Sequence, residues 1–142
     1  MALDFLFFGM GAYVADQTVR LMVRKGINPA GARVLVMGLA FKENCPDRRN
    51  TRVVDIVREL HDYQCVVDIY DPWVDAAEAE HEYGLTPVAE PQSGGYDAII
   101  LAVGHRQFVE LGGPGVRAFG KANSVVFDVK YVLPRDAVDG RL

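Results

Sequence analysis

The chain is poor in the features that mark several large classes of function. Its 142 residues include two cysteines, one tryptophan and three histidines. Cys45 and Cys65 form no C-x-x-C pair and no disulfide framework, which favours a reducing compartment. His61, His81 and His105 do not follow a metal-ligand spacing, so no metal site is expected. No apolar run approaches the roughly 20 residues of a membrane span. The opening Met1-Ala2-Leu3-Asp4-Phe5-Leu6-Phe7-Phe8 is apolar but short, lacks a basic start and carries Asp4, so it does not read as a secretory signal. Positive charge is not in excess either. Fifteen Lys and Arg against nineteen Asp and Glu leave a formal charge of -4, which gives no general reason to expect nucleic acid or a membrane surface as partner. The chain is therefore expected to be cytoplasmic.

What remains is the composition of an ordinary globular domain. Half of the residues are hydrophobic and 24% are charged. A chain of this length buries roughly 70% of the surface that its unfolded form exposes. There is no internal repeat and no low-complexity tract. Residues 11–25 follow a helical period loosely through Tyr13, Val14, Val19, Leu21, Met22 and Val23, and Lys25-Gly26 provides a stop. Asn28-Pro29-Ala30-Gly31 is a turn. Arg33-Val34-Leu35-Val36-Met37-Gly38 then reads as a strand buried on both faces. A helix capped by Asn50 or Thr51 runs to about Tyr63 on the stripe Val53, Val54, Ile56, Val57 and Leu60. Further strands are expected at 66–70, 98–103 and 124–128. A polar helix is expected at 75–83, and a segment over 108–119 that is helical or irregular and broken by Gly112-Gly113-Pro114. Alternation at this spacing means right-handed βαβ units. The expected fold is α/β, a small doubly wound parallel sheet of Rossmann-like type preceded by a long helix. Residues 1–30 form the helical part, and residues 31–142 form the α/β domain.

Ligands of such sheets bind outside the carboxyl ends of the strands. That rule singles out the loop after Gly38, Asp71-Pro72, the Gly104-His105 turn and the loop after Asp128. The first of these runs Gly38-Leu39-Ala40-Phe41-Lys42-Glu43-Asn44-Cys45-Pro46-Asp47-Arg48-Arg49-Asn50-Thr51 and leads into a helix amino terminus, where backbone N–H groups favour an anion. It is not a dinucleotide fingerprint, because only one glycine of G-x-G-x-x-G is present, and it has no G-K-[ST]. Lys42, Arg48 and Arg49 near a helix start suit phosphate recognition by side chains. A solvated charged loop fits the same residues equally well on physical grounds.

The same loop resembles the G-x-x-F-K-x-x-x-x-D-x-R-x-[ST] segment of the UDP-glucose/GDP-mannose dehydrogenase family. Its N-C-P-D-x-R-N-T variant is similar to the bacterial branch that oxidises UDP-N-acetylhexosamines. Tyr70-Asp71-Pro72, the stretch from Tyr96 to His105, and Phe127-Asp128-Val129-Lys130 resemble three further family segments in the same order. The resemblance covers Met10 onward. It implies a carboxyl-terminal domain for the UDP part of a sugar nucleotide, preceded by the end of a central helix used in homodimer formation. It also implies an NAD cofactor, held in the whole enzyme by an amino-terminal domain of which this chain shows no motif.

Carried over residue by residue, the resemblance makes Phe41 and Lys42 contacts to the UDP-sugar and makes Arg49 a contact to the NAD pyrophosphate. Lys130 stands where relatives often have an arginine near the nucleotide, so it keeps the charge but not the fork. Asp47 either pairs with Arg49 or holds the loop. The family's catalytic cysteine belongs to a G-F-G-G-x-C segment that has no match here, so neither Cys45 nor any other residue is read as catalytic. Cys65 is expected to be buried packing, and His105 to cap a turn. The chain by itself is expected to be inactive as a dehydrogenase. A stand-alone nucleotide-binding or regulatory module is the alternative reading of the same residues.

Overall fold

The computed structural model describes residues 2–40 and 51–142. Five parallel strands form one sheet: β1 (Arg33–Met37), β2 (Val66–Tyr70), β3 (Tyr96–Leu101), β4 (Gly120–Asp128) and β5 (Gly140–Arg141). Their order is β2-β1-β3-β4-β5. The helices are α1 (Ala2–Arg24), α2 (Thr51–Asp62), α3 (Ala76–Tyr83) and α4 (Arg106–Arg117), and a 3₁₀ turn spans Arg135–Ala137. The expected doubly wound sheet with a leading helix is therefore the fold observed.

The strand sequences explain why both faces are covered. In a strand successive side chains point to opposite faces. Val34, Val36, Ala98, Ile100, Val125 and Phe127 join one core cluster together with residues of α1 and α2. Leu35, Met37, Ile99, Leu101 and Val126 join a second, closed by Phe108 and Val116 of α4. All six residues of β3, the central strand, are buried. The α4 segment is broken where expected, with Gly112 at φ 66 and Pro114 within its second half. Asp75 caps α3 by accepting from the Glu78 N–H at 3.1 Å, and Gly84 ends it in the left-handed region.

The first helix is only partly buried by the rest of the domain. Val14, Val19 and Met22 are 1%, 6% and 0% exposed within this chain, while Tyr13 and Val23 remain exposed. Close approach at Gly11 makes this possible. A Cβ there would lie 2.7 Å from the Asp55 Cβ and 2.8 Å from the Arg52 carbonyl oxygen, so α1 crosses α2 with no side chain between the backbones. One element, β5, is an addition that the sequence pattern did not announce. It is held by Asp139, whose carboxylate meets Lys25 Nζ at 2.8 Å, Arg117 at 2.7 Å and the Val126 N–H at 2.8 Å. Burial alone would raise that carboxyl's pKa. The Lys25, Val126 and Arg117 donors outweigh it and hold the pKa below the ordinary value.

The turn out of β1 depends on Gly38. Its φ is +111, and a Cβ would sit 2.6 Å from the Val103 Cβ at the end of β3. Both conditions exclude a larger residue. Gly38→Ala is expected to lower stability by about 2–4 kcal/mol, combining backbone strain with overpacking. The shift of the urea midpoint at constant slope measures it, and an unchanged midpoint would show that the turn relaxes freely.

Candidate functional site

In a sheet of this order the crevice lies at the carboxyl ends of β1 and β3, where the connections leave in opposite directions. Here three strand ends converge on one side chain. Asp71, the residue after β2, is 5% exposed. Its Oδ2 accepts from the N–H groups of Leu39 at 2.7 Å and Ala40 at 2.9 Å, both just past β1. The same oxygen lies 3.0 Å from Nε2 of His105, which follows β3. Its Oδ1 accepts from the Trp73 N–H at 2.8 Å. Burial by itself would push this carboxyl's pKa up. The His105 contact and the three backbone donors together reverse that and hold it below the ordinary range. An ionised carboxylate only accepts, so Nε2 carries the proton in this contact.

His105 is fully buried, and its ring packs edge-on against Phe108 at 5.3 Å between centroids. The expected turn-capping role is filled by the backbone of His105 and not by its side chain. His105 does occupy the residue before α4, but its side chain makes no cap hydrogen bond there, and its carbonyl accepts from Phe108 and Val109 instead. The imidazole turns inward because the buried carboxylate is the stronger partner. Next to the pair, Trp73 Nε1 donates to Gln107 at 3.0 Å, and the Arg106 guanidinium lies 5.2 Å from the indole centroid.

The surroundings favour an anion. Both α2 and α4 begin at this edge of the sheet, and neither has an acidic residue in its first turn. Helix amino termini carry partial positive charge and unpaired N–H groups. At the end of β4, Asp128 is fully buried and accepts from the N–H groups of Lys130 at 3.2 Å and Leu133 at 2.8 Å. That turn brings Lys130 to the same edge, with an exposed side chain. Phe41, Lys42 and Arg49, and with them Cys45, Asp47 and Arg48, lie outside the described residues. Cys65 is buried as expected, its Sγ 3.3 Å from the Pro29 carbonyl, and burial pushes its thiol pKa up. Among the described residues no group of three or more His, Cys, Asp or Glu could hold a metal ion, and no helix is long and apolar enough to cross a membrane.

The residues at this edge do not fit NAD. A dinucleotide loop needs glycines that the stretch after Gly38 lacks, and an acidic side chain beyond the second strand free to bind ribose hydroxyls. Asp71 stands nearest that position, but it is buried and engaged by four donors.

An open parallel sheet whose switch point gathers two helix amino termini without acidic residues defines an α/β domain suited to a phosphate-bearing ligand. Residues 35–135 match the model for the UDP-glucose/GDP-mannose dehydrogenase family, UDP binding domain, and the chain belongs to that family. It is 58% identical over 134 residues to a UDP-N-acetyl-D-glucosamine 6-dehydrogenase of Pseudomonas aeruginosa, a match covering 94% of this chain and 32% of that protein. A protein of the same description from Salmonella typhi is 56% identical over 133 residues, covering 94% and 31%. The chain thus spans about a third of the length of these curated relatives. Among solved structures, an NDP-N-acetyl-D-galactosaminuronic acid dehydrogenase from Methanosarcina mazei superimposes with a TM-score of 0.79 at 24% identity, over 92% of this chain and 27% of that one. A UDP-D-ManNAc dehydrogenase from Pyrococcus horikoshii gives 0.73 at 23%, over 94% and 30%. At such identities these two establish the fold.

The pKa of Asp71 gives a signed test. Its ordinary value is 3.8, and its folded value is lower. The stability it contributes is complete above the ordinary value and disappears as pH falls through the folded one. Asp71→Asn is therefore expected to be less stable than the parent chain by about 3 kcal/mol at neutral pH, because it breaks a buried charge-assisted network. The gap should narrow steadily toward about pH 3 and below. Urea midpoints of both proteins across that range report it, and a gap independent of pH would contradict the assignment.

Proposed function

We propose that this chain is the UDP-binding, carboxyl-terminal part of an NAD-dependent UDP-sugar 6-dehydrogenase. In this reading the whole protein oxidises the C6 alcohol of a UDP-N-acetylhexosamine, or of UDP-glucose, to the uronic acid. Its product serves polysaccharide precursor synthesis in the cytoplasm. The observation that carries the reading is the identity of 56% and 58% to two UDP-N-acetyl-D-glucosamine 6-dehydrogenases over 94% of the chain. The anion-favouring edge of the sheet agrees with it, because a diphosphate needs donors and gains little from an apolar cleft.

Each residue then has an assigned part. Phe41 borders the sugar or base, and Lys42 pairs with phosphate as a point charge. Lys130 adds a second cation from the end of β4. Arg49 reaches toward the NAD pyrophosphate, with the rest of that cofactor bound away from this sheet. Two copies of the chain associate along the outer side of α1, where Tyr13 and Val23 are exposed at 51% and 57%. Sedimentation velocity reads this association, and a strict monomer at high concentration would count against it.

UDP itself is the ligand to titrate. Two or three charge-assisted hydrogen bonds of about 1.5–3 kcal/mol each, less the cost of ordering the nucleotide, leave millimolar to high-micromolar affinity. UDP and UDP-sugars are expected to bind nearly alike. Lys42→Ala should remove most of the binding, and Arg48→Ala should change little. Calorimetry or NMR titration decides. Equal losses in the two variants would show that the site is misplaced, and no response to several millimolar UDP would remove the nucleotide reading.

A further inference from the structure

We propose that Asp71 and His105 act as a positioning pair for the nucleotide site, fixing the backbone N–H groups of Leu39 and Ala40 where the chain leaves β1. The inference rests on the reading of this edge as a nucleotide site. It goes further by giving a binding role to two buried residues that need not touch the ligand.

Four observations carry it. The first is reach. β2 and β3 flank β1 on opposite sides, so Asp71 from one and His105 from the other meet over the end of β1, at the switch point itself. The second is completeness. A carboxylate has about four lone-pair sites. Asp71 finds four donors, two of them the consecutive N–H groups of Leu39 and Ala40. The third is rigidity around the pair. Leu39, Ala40 and His105 are all 0% exposed, Gly38 turns at a φ open to few other residues, and the His105 ring is walled by Phe108.

The fourth is the energetic logic. A buried ion pair is a poor source of stability, since well-packed apolar residues of similar size often do as well or better. What a charge supplies and an apolar side chain does not is direction, because it holds particular N–H groups at particular places. Direction is valuable where a ligand is bound, since a displacement of about 1 Å weakens a multi-point contact severely. The opposite edge of the sheet offers a comparison. Asp97, 9% exposed, accepts from the Arg33 N–H at 2.9 Å and pairs with Lys121 at 3.1 Å. It is likewise a buried carboxylate holding a backbone N–H, but at the amino end of the strands, away from the proposed site.

The test measures UDP affinity of the full chain by NMR titration, together with hydrogen exchange of the Leu39 and Ala40 amides. His105→Leu removes the donor to Asp71 and is expected to weaken UDP binding at least about tenfold, the loss of one charge-assisted bond's worth of order. The Leu39 and Ala40 amides should exchange faster, while those of β4 stay protected. His105→Gln places an amide N–H near the Nε2 position and should restore affinity to within about threefold of the parent. Asp71→Asn provides the same reading if the leucine variant does not fold. Asp97→Asn is expected to lower stability while leaving UDP affinity within about twofold. Parent-like affinity in both His105→Leu and Asp71→Asn overturns the inference, as does a loss in Asp97→Asn equal to theirs. Failure of the parent chain to bind UDP overturns the nucleotide reading and this inference together, an outcome distinct from binding that ignores the pair.

Discussion

A carboxylate buried at the end of β2 is the constraint on which the carboxyl edge of this domain depends. Its charge is tolerable only because Leu39, Ala40, Trp73 and His105 all donate to it. That requirement dictates much of the local structure. The chain must turn sharply after Met37 to present two consecutive N–H groups, which calls for glycine at 38. The β3 exit must deliver an imidazole inward, which leaves only the His105 carbonyl to accept at the mouth of α4. Three loops that are remote in sequence are thereby held as one object.

The two ends of the sheet divide the polar residues between them. At the amino edge Arg33 meets Asp68 at 3.1 Å and lies 4.9 Å from the Tyr96 ring centroid, the Tyr96 hydroxyl donates to Asp68 at 2.7 Å, and Arg33 also bonds Gln92. These residues satisfy one another and tie β1, β2 and β3 at their starts. At the carboxyl edge the buried carboxylates Asp71 and Asp128 take backbone donors, which shapes loops and leaves helix amino termini facing outward. Between the two edges the sheet is apolar on both faces, a condition many sequences meet. Structures only 23% and 24% identical share the fold for that reason.

Much of this architecture was legible in the sequence because apolar runs bounded by turn residues have few other uses. Arg33–Met37 and Val66–Tyr70 are the plainest cases, and the polar helix expected at 75–83 lies within a residue of α3. Where the pattern misled, polar residues were inside the strands. β3 begins at Tyr96 and not at Ala98, because Tyr96 and Asp97 are buried with partners that no periodicity reveals. β4 starts at Gly120 because its first residues are largely exposed at the sheet's end and look like loop. β5, a Gly-Arg pair, has no hydrophobic signature at all. In the site, Asp71 and His105 could each be seen to stand at a strand end. Their pairing could not, since 34 residues and a central strand separate them. Phe41, Lys42 and Arg49 owed their assignment to the family motif, because charge near a helix start does not by itself distinguish a ligand contact from a solvated loop.

The Asp139 contacts bear on the order in which this domain is built. Lys25, one residue beyond α1, reaches Asp139 and also donates to the Ser124 carbonyl, 99 residues on, at 2.7 Å. Gly140 lies against Leu21 of α1 and the ring of Phe127. The first helix and the last strand therefore complete each other's surroundings. Contacts of such separation carry a large loop-closure entropy and form only when the intervening strands already hold their ends near each other. During synthesis α1 emerges well before Asp139 and Gly140, so its final contacts wait for those residues. Until then, its apolar side would need shelter from elsewhere.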